Sequence, residues 1–155
     1  GHLVAQVALQ QGRRVFAFTR AGDTAAQSLA RRLGCHWAGG SDETPPAPID
    51  GALIFAPVGE LVRTALLHSE PGAIIVCAGI HMSDLPPLPY ALLWKERSLR
   101  SVANLTREDG DTFFDWATRH PLATTTERFA LADANEALAR LRDGRLSGAA
   151  VLDCR

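Results

Sequence analysis

The feature that most constrains this chain is a set of short, uninterrupted apolar runs set between helical segments. Residues 14–19 (RVFAFT), 51–57 (GALIFAP) and 73–78 (AIIVCA) lack the in–out alternation of a half-exposed strand. A strand that is apolar on both sides must be buried on both sides, as it is inside a parallel sheet. The intervening segments have a helical period. Residues 24–33 are amphipathic, follow Asp23 as a candidate N-cap, and stop at Gly34. Residues 60–68 read as a helix closed by Pro71 and Gly72, and residues 112–120 as one begun by Asp111. Residues 133–142 place Ala134, Ala137, Leu138 and Leu141 inward and end at Gly144. Shorter strands are expected at 35–38, 98–103, 122–126 and 149–152. Proline keeps 41–48 and 80–90 irregular. Strands alternating with helices predict a doubly wound α/β architecture, its parallel sheet covered on both faces.

Composition narrows the function. The 155 residues are one domain's worth, 46% hydrophobic, with a formal net charge of -1. That balance offers no basic field for nucleic acid. No apolar run approaches the ~18 residues of a membrane span, and no basic stretch precedes residues 3–9 as in a signal peptide. Cys35, Cys77 and Cys154 are odd in number and far apart, without CxxC spacing. They read as reduced, packed thiols of a cytoplasmic protein. His2, His36, His68, His81 and His120 form no HxxxH or HExxH pattern, so they read as surface or packed histidines, and no metal ligand or catalytic residue is assigned. Tyr90 and Lys95 are separated by four residues where a shared helix face needs three, which rejects a tyrosine–lysine catalytic pair.

In a doubly wound sheet, ligands bind beyond the carboxyl ends of the strands. Those ends are Thr19 and Arg20; Ala56, Pro57 and Val58; Ala78, Gly79 and Ile80; and Ala103 and Asn104 with Leu105. Small residues crowd three of the four, which lets a flat cofactor approach the backbone. Gly1, His2 and Leu3 open the first helix, where the last glycine of a dinucleotide fingerprint sits. The ribose-reading position falls ~20 residues beyond that fingerprint, at Thr19 and Arg20. The chain opens inside a helical pattern without a capping residue, which reads as a truncated frame or a trimmed chain.

Several strings resemble the carboxyl-terminal part of the medium-chain dehydrogenases. GHLVAQVALQQG is similar to their first cofactor helix. ERSLRSVANLTREDGDTFFDWA resembles the strand, cofactor loop and helix after their fifth strand. FALADANEALARLRDGRLSGAAVLD resembles the segment that returns to their catalytic lobe, and HMSDLPPLPYALLWKER a bacterial zinc-dependent alcohol dehydrogenase subfamily. The resemblance implies a Rossmann-like sheet lacking its first strand, with residues 1–126 as the NAD(P)-binding domain and 127–155 as the returning segment. It implies an intact parent that moves a hydride between an alcohol or aldehyde and a nicotinamide, as a homo-oligomer. Zinc is expected only in a lobe before Gly1. The alternative is a non-catalytic dinucleotide-binding or oligomer-contact module. With Arg20 in place of an acid at the ribose position, NADP(H) is expected over NAD(H), Thr19 donating to the 2′-phosphate and Arg20 adding charge. The missing strand would be central, so its neighbours Val15, Phe16, Ile54 and Phe55 should lose partners.

Overall fold

The computed structural model describes residues 1–146 and 148–155. The chain divides into two compact units, Gly1–Trp116 and Ala117–Arg155.

In the first unit, α1 (His2–Gln10) leads to β1 (Phe16–Thr19), α2 (Thr24–Arg32) and β2 (Trp37–Gly40). Then come β3 (Ile49–Ile54), α3 (Glu60–Leu67), β4 (Ser69–Cys77), the single turn α4 (Tyr90–Leu93) and β5 (Ser98–Ser101). Helix α5 (Arg107–Arg119) crosses the boundary between the units. β1 pairs in parallel with β2, from Phe16 opposite Trp37 to Thr19 opposite Gly40. β3, β4 and β5 form a second parallel set in that order. β1 and β3 do not pair. A groove of about 880 Å³ lies between them, lined by Phe16 and Phe18 on one side and Leu53 on the other. The order β2-β1-groove-β3-β4-β5 is the Rossmann order with the groove in the place of its first strand.

The apolar runs are strands, as their composition requires, but their limits differ. β1 is confined to the last four residues of 14–19, and β2 and β3 are shifted from the expected 35–38 and 51–57. Asp23 caps α2 as expected, accepting from Ala26 N at 3.0 Å. α5 starts five residues earlier than the predicted 112, at Arg107, because Thr106 and Asp109 form a reciprocal cap. Asp109 Oδ2 accepts from Thr106 N at 2.8 Å, and Thr106 Oγ1 accepts from Asp109 N at 3.2 Å. Asp109 Oδ2 also accepts from Thr106 Oγ1 at 2.8 Å, and the two bonds from Thr106, backbone N–H and hydroxyl, hold the Asp109 carboxyl below its ordinary pKa.

The core lies between α3 and one face of the β3–β5 sheet. Val62, Leu66 and Ile75 are no more than 1% exposed there, and Ile54 joins them. Ile54 therefore keeps its packing, contrary to the expectation that it would lose partners. The opposite face is not covered as expected: Leu53 is 52% exposed beside Ile54 at 7%. Phe55 and Ile74 are open on this face too.

In the second unit, β6 (Thr126–Ala130) pairs in parallel with β7 (Ala149–Asp153). A 3-10 turn (Leu131–Asp133) leads into α6 (Ala134–Arg142), whose Ala137 is buried. Leu138 and Leu141, expected inward, are exposed, because the two-stranded sheet is too narrow to cover more than one stripe of the helix. Among the described strands β7 pairs only with β6. Cys35 is buried and Cys77 half-buried, but Cys154 is exposed where the chain leaves β7. The expectation of three packed thiols thus fails at Cys154. Among the described residues no helix is long and apolar enough to cross a membrane.

Candidate functional site

The carboxyl ends of β3, β4 and β5 form one edge. Ala78 N donates to Ile54 O at 2.8 Å, and Val102 N to Cys77 O at 3.1 Å. A Cβ on Gly79 would lie 3.6 Å from Phe55 O and from Pro57 Cα, so the two strand ends are in van der Waals reach. Ala56, Pro57, Val58, Ala78, Gly79 and Ile80 are thus brought together, and Ala103, Asn104 and Leu105 follow directly after β5, all three exposed. Gly1 sits at the same edge: its Cβ position is 3.8 Å from the Phe55 ring. His2 and Leu3 follow it in the first turn of α1, which has no side-chain cap.

Thr19 and Arg20 end β1, with the groove between that strand and β3. The Thr19 hydroxyl is turned inward. It accepts from Gln27 Nε2 at 3.2 Å, and Arg20 O at 2.9 Å and Gly39 O at 3.2 Å compete for its proton. Its expected donation to a phosphate is corrected on that ground, since the one hydroxyl proton is already held by carbonyl oxygens. Arg20 is open, its side chain 84% exposed and 3.9 Å from Asp23 Oδ2. β2 ends beside it. A Cβ on Gly40 would lie 3.3 Å from Ala21 Cα and closer still to Asp42 Oδ1. The Glu43 carboxylate is occupied by Gly40 N at 2.7 Å.

Sequence reasoning read residues 80–90 as irregular but missed the contact this loop makes with the start of α3. Ser83 Oγ accepts from Gly59 N at 2.9 Å, and Ser83 N donates to Pro57 O at 3.2 Å. A Cβ on Gly59 would fall 2.2 Å from Asp84 O, so only glycine lets the loop close on the start of α3. Beyond β4 and β5 this loop forms a cleft of about 420 Å³ lined by Cys77, Gly79, Met82, Asp84, Arg100 and Val102. The contact of Gly59 with Ser83 and Asp84 has no local signal, because its members are more than twenty residues apart. Burial raises the Cys77 thiol pKa. Among the described residues, no three His, Cys, Asp or Glu side chains come together as a metal site.

No protein-family model matches the chain. It is 45% identical over 152 residues to a Mycobacterium tuberculosis protein named "Probable alcohol dehydrogenase AdhA", covering 97% of this chain and 43% of that one. It thus spans less than half the length of this curated relative. A cinnamyl alcohol dehydrogenase from Sorghum bicolor superposes with a TM-score of 0.85 at 20% identity, over 99% of this chain and 44% of that one. Acetophenone reductase from Geotrichum candidum, solved in complex with NAD, superposes with a TM-score of 0.81 at 21% identity, over 96% of this chain and 43% of that one. The chain is homologous along nearly its whole length to a protein named as a probable alcohol dehydrogenase, and it shares the Rossmann-type fold of solved alcohol dehydrogenases.

Proposed function

We propose that this chain is the nucleotide-binding portion of an NAD(P)-dependent alcohol dehydrogenase acting on a small alcohol or aldehyde. The observation that carries the proposal is the shared edge formed by the uncapped start of α1 and the small-residue ends of β3 and β4. Uncapped N–H groups at a helix start bind phosphate. Gly1, His2 and Leu3 would hold the cofactor's pyrophosphate there. Ala56, Pro57, Val58, Ala78, Gly79 and Ile80 would pass it along the sheet edge, and Ala103, Asn104 and Leu105 would orient its reactive ring. Bound nicotinamide supplies hydride exchange with the alcohol or aldehyde. This chain's residues contribute position. Zinc, in this reading, is held by residues outside the chain, and no step is assigned to it here. Residues 1–126 serve the nucleotide and 127–155 return to the catalytic lobe, in a cytoplasmic homo-oligomer.

For the cofactor we infer NADP(H) over NAD(H). The support is Arg20, exposed at the end of β1 with its planar guanidinium open to a 2′-phosphate. Asp23 is held by its helix, and Glu43 by Gly40 N, which limits their competition for a ribose hydroxyl. Asp42 remains the opposing charge. The test is to join this chain to the amino-terminal portion of its mycobacterial relative and measure kcat/KM with both cofactors. Arg20→Ala should lower kcat/KM for NADP(H) about tenfold or more, the loss of one charge-assisted contact, and leave NAD(H) unchanged. A preference for NAD(H) that ignores the substitution rejects the NADP(H) reading. The isolated chain should turn over no alcohol, and turnover by it would reject the division of labour.

A further inference from the structure

We infer that Ser83 is a positioning residue for the cofactor edge, acting through the backbone of Pro57, Val58 and Gly59. The inference rests on the nucleotide-binding reading above and deepens it with a residue outside the strand ends. Two ties join the chain beyond β3 to the chain beyond β4. At the first, Ala78 N donates to Ile54 O at 2.8 Å. At the second, Gly59 N donates to Ser83 Oγ at 2.9 Å, and Ser83 N donates to Pro57 O at 3.2 Å. Residues 54–59 and 78–83 therefore make a closed ring of backbone. The cofactor positions proposed at these two ends, Ala56, Pro57, Val58, Ala78, Gly79 and Ile80, all belong to that ring.

Side-chain packing does little to hold the ring. Ile80 is 84% exposed and Val58 45%, and Ala56 and Pro57 are exposed as well. Order at these residues therefore depends on backbone hydrogen bonds, and Ser83 makes both bonds of the second tie. An edge ordered in advance spares binding the entropy of ordering it. With the tie broken, the cofactor must order the edge as it binds. The rest of the loop does not depend on Ser83. Met82, Leu88 and Leu92 pack against the core beside α3. Arg97 holds the far end, donating to Trp94 O at 2.9 Å and to Glu70 O at 3.2 Å. Truncating Ser83 therefore opens one corner of the edge and leaves the fold in place.

The experiment places Ser83→Ala and Ser83→Thr in the joined enzyme described above. Kd is read from the fluorescence of NADH and NADPH, alongside KM and kcat. Ser83→Ala should raise Kd and KM about five- to tenfold for both cofactors alike, with kcat unchanged. That equality separates Ser83 from Arg20, whose effect falls on one cofactor. Ser83→Thr keeps the hydroxyl, and the exposed position leaves room for its methyl, so it should bind as the unsubstituted enzyme does. In the alanine variant the Gly59 amide should exchange faster, while the Leu66 and Ile75 amides keep their protection. A residue that merely supported the fold would instead lower kcat, through fewer active molecules, and leave Kd in place. That result overturns the inference. So does a threonine variant as weak as the alanine one, or an alanine variant that binds as tightly as the unsubstituted enzyme. An unsubstituted joined enzyme that binds neither cofactor rejects the nucleotide-binding reading itself, and the inference with it.

Discussion

Leu53 and Ile54 are neighbours in β3 and nearly identical in chemistry, yet Leu53 is 52% exposed and Ile54 is 7% exposed. The same contrast separates Ile74 from Ile75 in β4, at 41% and 0%. One face of this sheet has α3 against it, and the other borders a groove. The residues were chosen for burial on both faces, but only one face finds its partner. The α3 side is a closed core, and the groove side is a set of apolar walls and unpaired edges. An apolar strand edge left open invites pairing with another chain. The contrast predicts a molecule stable on one flank and prone to association on the other.

The largest effect that would sharpen this contrast is a pair of truncations. Leu66→Ala removes a side chain that is 1% exposed and should cost about 2–5 kcal/mol. Leu53→Ala removes the same atoms from the groove side and should cost less than about 1 kcal/mol, since little transfer from water is lost. Denaturant midpoints measure both, and equal losses would break the comparison.

Next comes a pair of glycines at the sheet edge. Gly59→Ala places a Cβ against Asp84 O and forces the loop off the start of α3, for an expected loss of about 1–3 kcal/mol. Gly79→Ala meets only ordinary contacts at 3.6–3.7 Å and should leave the melt unchanged. In the joined enzyme it should instead raise the KM for cofactor. A Gly79→Ala melt as low as that of Gly59→Ala would mean that the β4 end is packed, not open.

The smallest effect concerns the start of α5, where the Asp109 carboxyl is held below its ordinary pKa by Thr106. A depressed carboxyl contributes stability that is full above its unfolded pKa and is lost as pH falls through the folded one. The helix start should therefore weaken only below about pH 4, the unfolded aspartate value. Asp109→Asn should flatten that acid limb, and an unchanged limb in far-ultraviolet dichroism would show that the cap carries no pH dependence.

Much of this was legible in the sequence, and the failures have one kind of cause. Asp23 was readable as a cap because its partner, Ala26 N, is three residues away. The cap at Thr106 and Asp109 has the same local spacing, so the earlier start of α5 is also encoded locally. The strand ends at Thr19, just before Ala56 and just before Ala78 were readable to within two residues because apolar runs stop there. The contact of Ser83 and Asp84 with Gly59 was not, because no short-range pattern encodes it.

The sequence by itself determined which segments become strands, that those strands pair in parallel, and which small residues collect at their carboxyl ends. Periodicity and turn chemistry act over a few residues, and a few residues suffice for those choices. Only the tertiary structure decided which side of each strand is buried. An apolar run buried on both faces looks the same from either side, and a face becomes core only where another element reaches it. It likewise decided that the Thr19 hydroxyl is held by Gln27 and two carbonyls, while Arg20 stands free of the sheet. Adjacent residues at a strand end part company there because one packs under α2 and the next does not.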